Sequence, residues 1–123
     1  MTKQVQASEN NAKQVVLELG NAINAEDFQL ARKYVSDDMK HIYPLGTHDN
    51  AEVYFQQLEQ IRPKFDIHKT FVDGNEVCVL YDTTASGVKL PASGWFKVKD
   101  GKVRSLTIVF DPRPLLAVWG PNK

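Results

Sequence analysis

Apolar side chains recur along this chain at two periods, helical first and strand-like afterwards. Ala12, Val15, Val16, Leu19 and Ile23 fall at i, i+3, i+4, i+7 and i+11, which predicts an amphipathic helix that Ser8 can cap. Asp27 can cap a short second helix carrying Phe28, Leu30, Ala31 and Tyr34. The mixed stretch DDMKHIYP then reads as a strand ended by Pro44, whose ring nitrogen has no hydrogen to give to a ladder. A third helix starts near Asp49 or Asn50. It carries Ala51, Tyr54, Phe55, Leu58 and Ile61 on one face and stops at Pro63.

Beyond Pro63 the period drops to two. KFDIHKTFV alternates through Phe65, Ile67 and Phe71, followed by EVCVLYDTT, SGVKLPASGWFKV and KVRSLTIVF. Asp73–Gly74 and Asp100–Gly101 separate apolar runs, and both positions of such a pair accept positive φ, so each marks a hairpin. The pattern therefore predicts a meander of four long antiparallel strands, with the segment before the third helix adding a fifth at one edge. Helices first and strands last define an α+β class, helices covering one face of a strongly bent sheet. No internal repeat, linker or low-complexity segment interrupts this order, and one domain over residues 1–123 is expected.

Composition narrows the function without choosing one. Hydrophobic residues make up 42% of the 123 and charged residues 24%, a globular balance. Fifteen basic and fifteen acidic side chains cancel, which leaves no electrostatic reason to expect nucleic acid or an anionic membrane as partner. The single cysteine, Cys78, excludes an internal disulfide, and the three histidines lack short metal-ligand spacing, so no metal site is expected. The polar start MTKQVQASENNAKQ does not read as a signal peptide, and no run is long enough to span a bilayer. A cytoplasmic location is the expectation.

At this point the arrangement resembles a known family. NAEDFQLARKYVSDD, a strand ending in YPLG, FKVKDGKV and VFDPRP are similar to the SnoaL-like branch of the nuclear transport factor 2-like superfamily, over residues 9 to 116. That superfamily also holds ketosteroid isomerases, limonene epoxide hydrolases and scytalone dehydratases. The resemblance implies a cone-shaped α+β barrel (a cystatin-like fold) with three N-terminal helices, one mostly apolar pocket and no cofactor. It also implies a homodimer through the outer face of the sheet. The catalytic sets of the relatives are not carried over. Where ketosteroid isomerases place an Asp base, an oxyanion-hole Tyr and a protonated Asp, this chain has Tyr43, Leu19 and a position near Gly94. Where limonene epoxide hydrolases place an Arg and two Asp, it has Tyr81, Thr83 and Ile108.

What remains is an apolar lining with few polar handles. Strand alternation that sends Ile108 inward also sends Leu106 and Phe110 inward; Gly94 inward brings Phe96 and Val98 with it. The expected lining is Leu19, Ile23, Phe55, Phe96, Leu106, Ile108 and Phe110, with His41, Tyr43, Tyr81 and Thr83 as polar groups and Val77 and Val79 beside Tyr81. The same list describes a filled core. His41 is either a general acid or base or a histidine satisfied by a backbone carbonyl. Tyr43 and Tyr81 either orient a ligand carbonyl or simply pack. Asp82 reads as a strand-end residue facing solvent, and His48 as part of a pocket-rim loop, a gate or a plain turn residue. Asp111 and Arg113 read as a pair fixing the C-terminal tail over the barrel mouth. Trp95, Thr107 and Val109 point outward with Cys78 and Leu80, the patch expected to cover a second copy.

Two function classes follow. One is a cofactor-free isomerase, cyclase, dehydratase or hydrolase acting on a small hydrophobic carbonyl compound, with His41, Tyr43 and Tyr81 as its catalytic groups. The other is a non-catalytic ligand-binding or dimerisation module. A buried carboxylate or a His–Asp pair inside the cone favours the first; an all-apolar lining favours the second.

Overall fold

The computed structural model describes residues 2–119, with side chains from Asn11 onward. Helix α1 spans Thr2–Asn24, so Ser8 lies inside the helix and does not start it. Its apolar stripe (Ala12, Val15, Val16, Leu19, Ile23) is buried as the period requires. Helix α2, Phe28–Arg32, is capped by Asp27, whose carboxylate accepts from the Leu30 amide at 3.1 Å. Helix α3, Ala51–Ile61, is capped by Asn50, which accepts from the Val53 amide at 3.0 Å. The helix closes on Arg62 in the left-handed region (φ 51°), just ahead of Pro63. Among the described residues no helix is long and apolar enough to cross a membrane.

Strands β1 (Val35–Tyr43), β2 (Gly46–His48), β3 (Lys64–Asp73), β4 (Glu76–Ala85), β5 (Val88–Lys99) and β6 (Lys102–Phe110) form one bent sheet in the order β2-β1-β6-β5-β4-β3. The four-strand meander is present, joined by two-residue turns. Asp100–Gly101 has positive φ at both positions, and so does Ser86–Gly87 between β4 and β5. At the first Asp-Gly the loop is Gly74–Asn75, and Asp73 stays in β3 opposite Glu76.

Two features correct the sequence reading. The strand before α3 is not at an edge. It doubles back through Pro44–Leu45 into β2, which takes the edge, while β1 pairs parallel with β6. The C-terminal tail adds a helix to the three expected: Arg113–Trp119 forms α4. Its Leu115 is buried with Ala85 and Leu90 in a small apolar cluster. The larger core lies between α1, α3 and the concave face of the sheet.

Candidate active site

The site begins with a hairpin. Because the loop between β1 and β2 has only two residues, Tyr43 faces Gly46 and His41 faces His48 across the strands. Alternation sends His41 and Tyr43 to one face and Ile42 to the other, so Ile42 is exposed while His41 is 3% exposed. The rings of His41, Tyr43 and His48 stack on one another, with centroids 5.0 to 5.1 Å apart and planes within 15°. Tyr54, from α3, leans against His41 at 4.5 Å.

This stack closes one end of an apolar hollow with two compartments. The mouth compartment, about 90 Å³, is lined by His41, Tyr43, Gln57, Leu58, Ile61, Pro63, Thr83, Ala85, Phe110, Leu115 and Trp119. The second, about 40 Å³, is lined by Val16, Leu19, Gly20, Ile23, Ile67, Val79, Phe96 and Leu106. Tyr54, Phe65, Tyr81 and Ile108 belong to both walls and form the waist between them. Gly94 faces this interior. A Cβ there would lie 2.9 Å from the Phe96 ring, so any side chain at this position would force that ring to shift. Each compartment is smaller than the roughly 150 Å³ that holds a benzene in a dry apolar cavity. A larger ligand must use the mouth beside α4.

The polar groups of this hollow are few, and among the described residues several lack side-chain partners. His41 Nδ1 lies 2.8 Å from His48 Nδ1, so its partner is a second imidazole and not a backbone carbonyl. Its other nitrogen, Nε2, is buried and has no hydrogen-bond partner among the described residues. Such an atom in a native fold calls for an explanation, since an unmade buried hydrogen bond costs about 1–3 kcal/mol. Burial first, and the adjacent His48 second, hold the His41 pKa down to about 3. The ring is therefore neutral at pH 7. Burial also lowers His48, against the opposing pull of Asp49. Burial pushes the Tyr54 and Tyr81 hydroxyls well above the usual range, and neither makes a hydrogen bond among the described residues. The Tyr43 hydroxyl accepts from Gln57 Nε2 at 3.3 Å, which leaves its own hydrogen free to donate.

Most of the sequence-derived candidates meet in this hollow: His41, Tyr43, Tyr81, Thr83, Leu19, Ile23, Phe96, Leu106, Ile108 and Phe110 all line it. Phe55 does not. On α3 the cavity takes Tyr54, Gln57, Leu58 and Ile61, spaced i, i+3, i+4, i+7, and Phe55 packs into the core edge-on to Tyr54 at 5.4 Å. Val77 is likewise core without lining either compartment. No carboxylate lines the hollow among the described residues. Asp82 faces outward, 2.9 Å from His68, and Asp111 grips Arg113 at the start of α4, held below the usual carboxylate range by that guanidinium.

Sequence reading missed Tyr54 as a site residue, and it placed His48 in a rim loop where the structure has it in β2, opposite His41. Tyr54 falls at a helical spacing that any core residue shares. His48 was legible in principle, since a two-residue turn at Pro44–Leu45 sets it opposite His41.

A helix-covered, strongly bent sheet around one apolar hollow defines a cone-shaped pocket protein. The SnoaL-like domain family matches residues 16–106, and the chain belongs to that family. An NTF2-like protein of unknown function from Cytophaga hutchinsonii is 35% identical. The match covers 85% of this chain and 94% of that one, with a TM-score of 0.84. An LEH-like epoxide hydrolase from M. tuberculosis shares the fold at 22% identity and a TM-score of 0.78, over 92% of this chain and 98% of that one. No curated protein matches the sequence.

Proposed function

We propose that the hollow binds a small, largely apolar carbonyl compound and that His41 moves a proton to or from it without a cofactor. The observation that carries this is a buried Nε2 without a partner among the described residues, on a His41 ring that lines an apolar cavity. A neutral imidazole in that position can accept or donate, and a ligand supplies the hydrogen bond the protein withholds. Tyr43, its oxygen already engaged by Gln57, donates to the ligand oxygen; Tyr81 offers a second hydroxyl at the waist. Leu19, Ile23, Phe96, Leu106, Ile108 and Phe110 hold the apolar part, with Thr83 at the mouth.

The test is loss of α-protons from small cyclic ketones and enones in heavy water, followed by NMR. Wild-type protein accelerates the exchange. His41→Gln lowers the rate by about 10²–10⁴-fold, while Tyr43→Phe lowers it less and both variants stay folded. Wild-type exchange no faster than buffer, or full activity in His41→Gln, overturns the reading.

A non-catalytic ligand-binding or dimerisation module is the second reading, favoured by the absence of a carboxylate among the lining residues described and by an apolar outer face. Phe71, Cys78, Trp95, Thr107 and Ile42 stand in one register across β3, β4, β5, β6 and β1. Of these, Phe71 is 51%, Trp95 45% and Ile42 45% exposed, and neighbouring Val109 reaches 62%. A second copy of the chain covers this face in a homodimer. Binding of a ketone without any proton exchange would leave this second reading standing. For location, the family and the balanced charge support a cytoplasmic protein.

A further inference from the structure

The two nitrogens of His41 have different surroundings. Nδ1 meets Nδ1 of His48 at 2.8 Å, and Nε2 is buried without a partner among the described residues, on a ring that lines the mouth compartment. Two neutral imidazoles whose Nδ1 atoms approach this closely share a single hydrogen. Whichever ring holds it on Nδ1, the other holds its hydrogen on Nε2. That choice decides what Nε2 can offer. With the shared hydrogen on His41, its Nε2 presents a lone pair and can act as a base. With the shared hydrogen on His48, His41 Nε2 carries a hydrogen and can act as an acid.

We propose that His48 is the proton-relay partner of His41, taking the charge of each proton transfer out of the cavity to the half-buried rim. The inference rests on the reading of His41 as the group that moves the proton. In the forward step a ligand C–H proton bonds to His41 Nε2 and the pair of electrons stays on the ligand as an enolate. In concert the Nδ1 hydrogen of His41 passes to Nδ1 of His48, which already carries a hydrogen on Nε2 and becomes the imidazolium. His41 is neutral before and after. Return of the proton to a different ligand atom reverses both transfers, so no oxidant or external acid is required.

The surroundings favour this direction. His41 lies deep, with Leu106 of β6 opposite it in register, Tyr43 stacked beside it and Tyr54 of α3 leaning on it. None of these offers a negative charge. His48 is half-buried, and Asp49, next in the chain ahead of α3, draws a positive charge toward it. A cation is therefore better tolerated on His48 than on His41. His48 acts through His41 and is a positioning residue.

Nitrogen-15 NMR of the imidazole rings tests this on the unliganded wild-type protein. The expected spectrum shows complementary tautomers near neutral pH, one ring protonated at Nδ1 and the other at Nε2. On acidification His48 takes the imidazolium while His41 remains neutral and carries its hydrogen on Nε2. In His48→Gln this pH-linked tautomer switch of His41 is lost. Both rings protonated at Nε2 with no shared hydrogen, proton uptake on His41 itself, or a switch that survives in His48→Gln would each overturn the relay. The wild-type spectrum decides the matter even if the variant fails to fold. Ketone exchange that fails beside an intact tautomer pair removes the proposed function and with it the relay, leaving only the shared hydrogen; exchange that persists without the pair removes the relay alone.

Discussion

His41 is held neutral in the fold down to about pH 3, whereas the ordinary value is 6.5. The folded pKa lies below the unfolded one, so the unfolded chain binds this proton first as the medium is acidified. The stability tied to the ring is complete above pH 6.5 and declines as pH falls toward about 3, by about 1.4 kcal/mol per pH unit. His48, shifted in the same direction, adds to the slope. Urea midpoints at neutral and mildly acidic pH should therefore separate more in wild type than in His41→Phe, whose ring keeps the stack but cannot titrate. Equal separations would mean that His41 protonates freely in the fold. At this scale the sequence was half legible. Alternation alone sends His41 and Tyr43 to one face. It does not reveal that the nearest partner of His41 lies seven residues on, because the pairing belongs to the hairpin and not to either strand.

Among the elements, α3 matters most to the site, since it brings Tyr54, Gln57, Leu58 and Ile61 to the cavity. Its first turn depends on the Asn50 side chain, which satisfies the Val53 amide. Asn50→Ala should cost about 1 kcal/mol in urea unfolding; an unchanged midpoint would mean that packing alone holds the turn. The helices and the long hairpins were readable from period, caps and turns. The fourth helix was not. Its two prolines look like breakers, yet Pro112 precedes it and Pro114 sits in its first turn, where the missing amide hydrogen is no loss. The edge strand β2 escaped notice because three residues, Gly46–His48, are too short to show a period.

The outer face gives the whole molecule its most direct test. Trp95 stands near the middle of the apolar row, its indole nitrogen donating to Glu76 at 2.7 Å and its ring under Lys97. Sedimentation of the wild type should report about twice the 13.9 kDa chain mass. Trp95→Asp, which plants a charge in the row, should shift it to the monomer with little loss of secondary structure. A monomeric wild type would refute the dimer, and a dimer indifferent to the substitution would place the contact elsewhere. Trp95, Thr107 and Val109 were readable in advance from the alternation that filled the cone. Phe71 was not, because a register shift between Ile67 and Lys69 turns it from the face of Phe65 and Ile67 to the outer one.

The parallel pairing of β1 with β6 also sets an order of assembly. The hairpins from β3 to β6 close through short turns, but His41 reaches Leu106 only after most of the chain has been laid down between them. Contacts of such long sequence separation carry the larger loop-closure entropy and form late. The two histidines ride on the segment that docks last. A partly folded chain can thus hold most of its sheet and still lack a docked His41, so the ketone exchange proposed above should return after the bulk of the strand signal when the protein refolds.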